Sequence, residues 1–500
     1  MTLTFQAPIR GGKIGAIPSK SAAHRQLICA AFADRKTEIL CPTVSEDIEA
    51  TARCLRALGA TITRTEAGFT VMPATDKPTD AALDCGESGS TLRFLLPVTA
   101  AQGIPARFIR RGRLPHRPLS PLYEEMIRHG ADLPTDPETE PLPLTGQIRA
   151  GRYEIDGGVS SQFVSGLLMA MPLMEGKSEL HLTGKLESAD YIRITTEAMA
   201  KFGVCVDVTP DGRTYTVQAN RYTSPARIIV EGDWSNAAIW LAAGAVGQHP
   251  VTVTGLDIHS PQGDRRIADV LRQFGAAVTV DGDAVTVAPA PLQGIFLDAS
   301  QIPDLVPVIA AVAARAEGET RITGIARLRI KESDRVAAVT DVLRTLGADI
   351  VSDENAIVIR GGRPLSGGTV SSFRDHRLVM CAFVASLTAE GTVSVTDAQA
   401  IGKSYPDFTS HIAALGGQCQ EKEDIRWIIR FCAICIWKST ADPTTRRSVS
   451  ASSVCRPARQ LIWMNSTPFF PAVPPDPQNT APNGRRRIRP ISSAVWKTTL

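Results

Sequence analysis

Two kinds of apolar run alternate along the chain. The first is amphipathic. The phrases "CLRALGATI", "EMIRHGADL", "AMAKFGVCV", "VLRQFGAAV", "VLRTLGADI" and the shorter "HIAALGGQ" place apolar residues at helical spacing and then close on glycine. This pattern predicts helices facing a core on one side, with Gly59, Gly130, Gly203, Gly275, Gly347 and Gly416 at left-handed C-caps. The residues after them alternate, as in "AAVTVDGDAVTVAP", and predict a hairpin around the Asp281–Gly282 turn. The second kind of run is apolar on every side: "QLICAAFA", "TLRFLLPVTAA", "QFVSGLLMAMPL", "AAIWLAAGAV", "LVPVIAAVAA" and "RLVMCAFVASL". A helix with that pattern is buried all round. A short extended piece follows each, such as "HPVTVTGL" or "GETRITGI".

Both runs recur every seventy residues or so, roughly the period of a supersecondary repeat. The unit is a small α+β module in six copies. No single copy can cover an all-apolar helix, so copies share cores, most simply three to a domain. A chain of 500 residues is also too long for one ordinary core.

The openings of the six apolar helices carry unusual residues. They are Lys20-Ser21 with Arg25, Gly89-Ser90 with Arg93, and Ser160-Ser161-Gln162 in the first half. The second half has Asp233-Trp234-Ser235, then Asp304, then Asp375-His376-Arg377. A helix N-terminus offers free N–H donors and a partial positive charge, so it attracts anions. Ser, Asp and Gly are also ordinary N-capping residues, and Asp304 by itself reads as a cap of "LVPVIAAVAA". Capping does not explain Lys20, Arg25, Arg93 and Arg377. A cation there opposes the dipole and needs an anion to compensate it. Four such placements in register predict an anionic ligand, or more than one.

Loops add cations. "RRGRLPHRPLSP" brings Arg113 and Arg117 ahead of a helix predicted to begin near Leu119. "LRIKESDRVAAV" gathers Lys331, Glu332, Asp334 and Arg335, a run that also suits a solvated face. "AIGKSYPDF" holds Lys403, but Asp397 stands where a phosphate-binding loop needs its first glycine. "GESGST" is not a dinucleotide fingerprint. No His/Cys cluster has metal-ligand spacing, and "CAIC" at Cys432–Cys435 lacks a second pair, so no metal and no cofactor are expected.

Composition changes this picture at one place. Residues 419–500 hold 13 Lys/Arg against 5 Asp/Glu, whereas the preceding residues hold 41 against 46. The main body is therefore mildly acidic, which argues against a nucleic-acid surface. Its N-terminus has no apolar core of a signal peptide, no run is long enough to span a bilayer, and the cysteines lack framework spacing. A cytoplasmic protein with reduced thiols is expected, a monomer by default, with no membrane or nucleic-acid partner. In the tail the repeat stops, and four of the six tryptophans appear with "FFPAVPPDPQNTAPNGRRRIRP". Mostly disordered chain is expected there, with a short helix or strand at "DIRWIIRFCAICIW". It reads as an interaction appendage or as a translated frameshift without function, and its composition favours the second.

Taken together, "SKSAAHR", "GESGSTLRF", "VSSQF", "RIKESDR" and "DHR" followed by "GKSYPDF" resemble the EPSP synthase family of enolpyruvyl transferases, in order and at family spacing over residues 7–418. The resemblance implies an α+β fold of two domains, each of three repeated modules, in the family's inside-out α/β barrel arrangement. One domain would take residues 1–15 plus 231–418 and the other 16–230, leaving 419–500 as tail. It implies transfer of the enolpyruvyl group of phosphoenolpyruvate to the 5-hydroxyl of shikimate 3-phosphate, with release of phosphate, on the route to chorismate and aromatic amino acids. Both substrates are small anions, as the helix openings demand. The phosphoenolpyruvate site of this family is also where the herbicide glyphosate competes.

By motif position, Lys20, Ser21, Arg25, Ser160, Ser161, Gln162, Ser188, Asp304 and Lys331 would bind shikimate 3-phosphate. Lys20, Gly89, Arg93, Arg117, Gln162, Arg335, Arg377 and Lys403 would bind phosphoenolpyruvate. Asp304 would take the hydroxyl proton and Glu332 handle the methylene proton, with Lys20 and Lys403 stabilising charge. Such a carboxylate pair works if burial separates the two protonation states. The chain departs from the family at Ile17-Pro18, Glu87, Phe94 and Arg327, which are expected to touch only peripheral contacts. The nearest alternative, an enolpyruvyl transferase acting on UDP-N-acetylglucosamine, uses a loop cysteine that "RRGRLPHRP" lacks. A non-catalytic anion-binding protein with a nucleic-acid-binding tail is the alternative of another class.

Overall fold

The computed structural model describes residues 1–6 and 8–423. Expectations for the tail from residue 424 onward, the disorder and the "DIRWIIRFCAICIW" segment included, lie outside the described residues. Within them, six four-stranded sheets account for the repeat. Each sheet joins a parallel strand pair to an antiparallel pair, as in Arg152–Asp156 beside Ser178–Thr183, then Thr214–Val217, then Asp207–Val208. In four of the six sheets the apolar helix connects the parallel pair, because parallel neighbours need a crossover, whereas Lys20–Ala31 and Trp234–Val246 lead from one sheet into another. In five units the amphipathic helix then leads into an antiparallel hairpin. The expected hairpin spans Ala277–Asp281 and Ala284–Ala288, and Gly282 turns it at φ 57°. The six glycines after the amphipathic helices all have φ between 77° and 112°, the left-handed region that a side chain would strain.

The all-apolar helices are Lys20–Ala31, Gly89–Gln102, Ser161–Ala170, Trp234–Val246, Val306–Arg315 and His376–Ser386. Every residue from Ala22 to Ala31, and from His376 to Ser386, is buried. Close packing fixes small residues at the crossings. A Cβ on Gly166 would sit 2.3 Å from the carbonyl oxygen of Arg93, so the helices Ser161–Ala170 and Gly89–Gln102 meet backbone to backbone.

Two hydrophobic cores result. One draws on side chains from Ala22 to Val230; the other on Leu3 to Ile17 together with Trp234 to Leu415. The chain crosses between them twice, side by side: Ser19 N donates to Glu231 O at 2.7 Å and Asp233 N to Ile17 O at 2.8 Å. Strands are also exchanged along the sequence. Arg227–Ile229 pairs in parallel with Thr37–Leu40, and Gly12–Gly15 with Val251–Thr254. The last unit is closed by the first strand, Thr2–Gln6, which lies between Val393–Thr396 and Gln418–Lys422. Gln418–Lys422 is thus an ordered strand running past residue 418, where the sequence reading begins its tail. No described helix is long and apolar enough to cross a membrane.

Candidate functional site

All six apolar helices open onto one cleft. Lys20 and Ser21, Gly89 and Ser90, Ser160 to Gln162, Asp233 and Ser235, Asp304, and His376 with Arg377 line two adjoining cavities. The cavities share Arg117, Gln162, Tyr191, Asp304 and Lys331 as walls. Ordinary capping explains part of the pattern. Ser19, Ser88, Ser160, Asp233 and Asp375 are the caps, each accepting from a first-turn N–H. Asp304 is not one. It sits in a 3-10 turn, Pro303–Leu305, ahead of Val306–Arg315, and its carboxylate turns into the cleft.

There Asp304 accepts from Arg335 Nη1 at 2.6 Å and from the Tyr191 hydroxyl at 2.9 Å, with Lys331 Nζ 3.3 Å away. Glu332 accepts from His376 Nδ1 at 3.0 Å, and Arg113 donates to its carbonyl at 3.3 Å. The "RIKESDR" run is therefore no solvated face, for its Lys331 and Arg335 point inward. Burial opposes ionisation of Asp304, but Lys331, Arg335 and Arg377 outweigh it and hold the carboxyl well below the usual range. Glu332 is partly buried, and His376, Arg335 and Lys20 outweigh that burial and hold its carboxyl well below the usual range too. The expected separation of the two protonation states is absent; both are carboxylates in this arrangement. Burial drives Lys331 down to about 8 despite the charge of Asp304.

The cleft carries eight lining cations, namely Lys20, Arg25, Arg93, Arg117, Arg327, Lys331, Arg335 and Arg377, against Asp47, Asp233, Asp304 and Glu332. Cations outnumber carboxylates along the lining, although Arg335 is also held by Asp375 and Arg327 lies 4.0 Å from Glu187. The buried Nε–H groups of Arg93, Arg117 and Arg377 have no hydrogen-bond partner, and that of Arg327 has only the Glu187 carboxylate 4.0 Å away. Unpaired buried donors are costly, so these guanidinium groups are short of acceptors. Gly89 leaves its room to Arg117, whose Nη1 would lie 2.6 Å from an added Cβ.

Other cations are already engaged. Arg25 donates to Thr195 Oγ1 at 2.6 Å, Ser21 O at 2.7 Å, and Ser165 Oγ and Tyr191 O at 3.1 Å, with Phe94 stacked 4.8 Å from its guanidinium. Arg335 grips Asp375 with Nε at 2.8 Å and Nη2 at 3.2 Å. Glu332, Asp375 and His376 offer ligand atoms within 4.8 Å of one another, but Arg335 and Ser333 occupy Asp375, and Lys20 and Arg377 face His376. A metal ion does not suit that surrounding.

The structure thus gathers every predicted site residue but Lys403 in one cleft. Ser160, Ser161, Ser188 and Arg93 lie at one end of it; Lys20, Ser21, Arg25, Gly89, Glu332, Arg335 and Arg377 at the other; Arg117, Gln162, Asp304 and Lys331 between them. Gln162 joins two helix openings, accepting from Arg93 Nη1 at 2.8 Å and donating to Ser90 Oγ at 2.9 Å. Lys403 stands one recess along, with Glu87, Arg113, Arg117 and Glu332. Two departures expected to be peripheral are not. Arg327 donates to Ser188 Oγ at 2.7 Å, and the Glu87 carboxylate accepts from Lys403 Nζ. Sequence reasoning missed Asp47, which holds Lys20 Nζ at 2.9 Å, and Tyr191. Their partners lie 27 and 113 residues away, so no local signal marks them.

Comparison with known proteins agrees with this geometry. The family model described as EPSP synthase (3-phosphoshikimate 1-carboxyvinyltransferase) matches residues 6–412. The 3-phosphoshikimate 1-carboxyvinyltransferase of Clostridium kluyveri is 38% identical over 414 residues, covering 82% of this chain and 96% of the relative. That of Methanocorpusculum labreanum is 36% identical over 414 residues, 82% of this chain and 97% of the relative. Among solved structures, the EPSP synthase of Acinetobacter baumannii superposes with a TM-score of 0.70 at 24% identity, over 84% of this chain and 100% of that one. The enolpyruvyl transferase NikO from Streptomyces tendae has the same fold, with a TM-score of 0.67 at 19% identity, over 84% and 98%. With six helix openings converging on one cationic cleft, and the family's match running through all six units, this chain belongs to the EPSP synthase family.

Proposed function

We propose that this chain moves the carboxyvinyl group of phosphoenolpyruvate onto the 5-hydroxyl of shikimate 3-phosphate, releasing inorganic phosphate. The observation that carries the reading is the convergence of all six helix openings on a cleft whose lining holds eight cations against four carboxylates. Two phosphorylated carboxylates side by side are the anions that such a lining suits. We assign the shikimate phosphate to Ser160, Ser161, Gln162 and Ser188 with Lys331 on the ring side, and Lys20, Ser21 and Arg25 to the rest of that ligand. Phosphoenolpyruvate falls to Lys20, Gly89, Arg93, Arg117, Arg335, Arg377 and Lys403.

Addition of the hydroxyl to the enol phosphate carbon of phosphoenolpyruvate requires one proton removed and one delivered. Asp304 is placed to take the hydroxyl proton, and Glu332, after taking up a proton from solvent, to pass it to the methylene; the tetrahedral adduct then loses phosphate together with a methyl proton, which restores the double bond. Both carboxylates are held ionised by cations. Entering substrate anions compete for those same cations, which raises the proton affinity of the carboxylates when a base is needed. The two cores serve as lobes, residues 16–230 and residues 1–15 with 231–418, that close over the substrates and shed water. The cysteines from Cys29 to Cys419 are free thiols, in keeping with a cytoplasmic monomer.

Phosphate release in the presence of both substrates tests the reading. Asp304→Ala and Glu332→Ala are each expected to lose about 10²–10⁴-fold in kcat. Full activity in both variants would remove the acid–base assignment. A chain ending after Glu423 keeps the strand Gln418–Lys422 and is expected to be as active as the whole. Salt-sensitive polyanion binding without phosphate release, lost on that truncation, would favour the non-catalytic alternative.

A further inference from the structure

Lys403 and Glu87 lie 316 residues apart and on opposite sides of the cleft, yet they form a direct ion pair. Glu87 stands between the strand Ala81–Gly86 and the helix Gly89–Gln102, and Lys403 ends the 3-10 turn Ala398–Lys403. Lys403 Nζ donates to two acceptors, the Glu87 carboxylate and the Arg374 carbonyl at 3.0 Å. Arg374 and Phe373 both hold left-handed backbone, φ 57° and 52°, a costly conformation that aims this carbonyl. Room for the carboxylate is also built in. A Cβ on Gly112 would sit 2.5 Å from Glu87 Oε1, and Gly112 itself has φ 56°. The recess that these residues line includes Arg113, Arg117 and Glu332.

We propose that Glu87 is an internal competitor for Lys403, a positioning residue that sets the affinity for phosphoenolpyruvate. This rests on the reading above, in which Lys403 receives an anionic end of that substrate. Glu87 already neutralises the ammonium, so an incoming anion must share or displace it, and it meets a like charge within hydrogen-bonding reach of the same donor. The pair also ties the two sides of the cleft together, so the substrate anion takes over a bond that the protein makes by itself.

Steady-state kinetics separate this from a plain tether. Glu87→Gln keeps the shape and removes the charge; the KM for phosphoenolpyruvate is expected to fall about 3- to 10-fold, more than any change in kcat. The KM for shikimate 3-phosphate is expected to hold. Glu87→Ala should move the phosphoenolpyruvate KM in the same direction, and Glu87→Asp, which retains the charge, should not lower it. A KM for phosphoenolpyruvate that is unchanged or raised in both Glu87→Gln and Glu87→Ala overturns the proposal, since a tether would loosen Lys403. A wild-type chain that releases no phosphate from the two substrates defeats the underlying reading instead.

Discussion

At the scale of residues, the cleft is governed by which charges are already compensated. Arg25, Arg335 and Lys20 are fastened to protein partners, whereas the Nε–H groups of Arg93, Arg117, Arg327 and Arg377 have no hydrogen-bond partner. The first group orients and the second receives. Lys331 sits between these roles, 3.3 Å from Asp304 and lowered by burial to about 8. Below that pH its ammonium attracts a phosphorylated ligand, and above it the attraction is lost. The kcat/KM for shikimate 3-phosphate is therefore expected to fall as pH rises through about 8. Lys331→Arg, whose guanidinium stays charged there, should flatten that limb. A limb unchanged by the substitution would assign the titration to another group. Residue types were legible in advance because cations at helix N-termini demand an anion. Their pairings were not. Nothing near Glu87 in the chain names Lys403, and nothing near Asp304 names Tyr191.

At the scale of elements, the all-apolar helices do two jobs at once. Their sides fill the cores, and their first turns furnish the cleft. Packing and function are therefore coupled through rigid bodies one helix long. Gly166 is the sharpest case, since its missing side chain lets the helix Gly89–Gln102, with Arg93 on it, approach to backbone contact. Gly166→Ala is expected to cost about 1–3 kcal/mol in denaturant unfolding, because the carbonyl of Arg93 cannot give way cheaply. The same shift moves Arg93 away from Gln162, so a rise in substrate KM should accompany it. Most element positions followed from periodicity, including the six glycine caps. Two did not. The helix expected near Leu119 begins at Leu122, after a 3-10 turn at Leu114–His116. Asp304 likewise lies in a 3-10 turn and not at a cap. Proline at the start of both turns sets a tighter local helix that periodicity does not reveal.

At the scale of the whole molecule, the chain closes on itself. Thr2–Gln6 fills the slot between the last two strands, with Leu3 fully buried and the Phe5 ring 5.4 Å from that of Phe383. Deleting residues 1–6 is expected to cost at least about 3–5 kcal/mol, the usual penalty for losing one buried aromatic. Truncation after Glu423 should leave denaturant unfolding of the main body close to that of the full chain. Equal losses from both deletions would contradict the closure.

The repeat, the burial of one helix in each unit, the chemical class of ligand and the family are all determined by local pattern, because helical period, capping and charge at a helix end act within a few residues. The exchange of strands between distant units, the ionised state of both Asp304 and Glu332, and the Glu87–Lys403 pair were decided only by the tertiary structure. Each depends on distances between residues far apart in the chain, and a carboxylate's proton affinity follows from whichever charges the fold sets beside it.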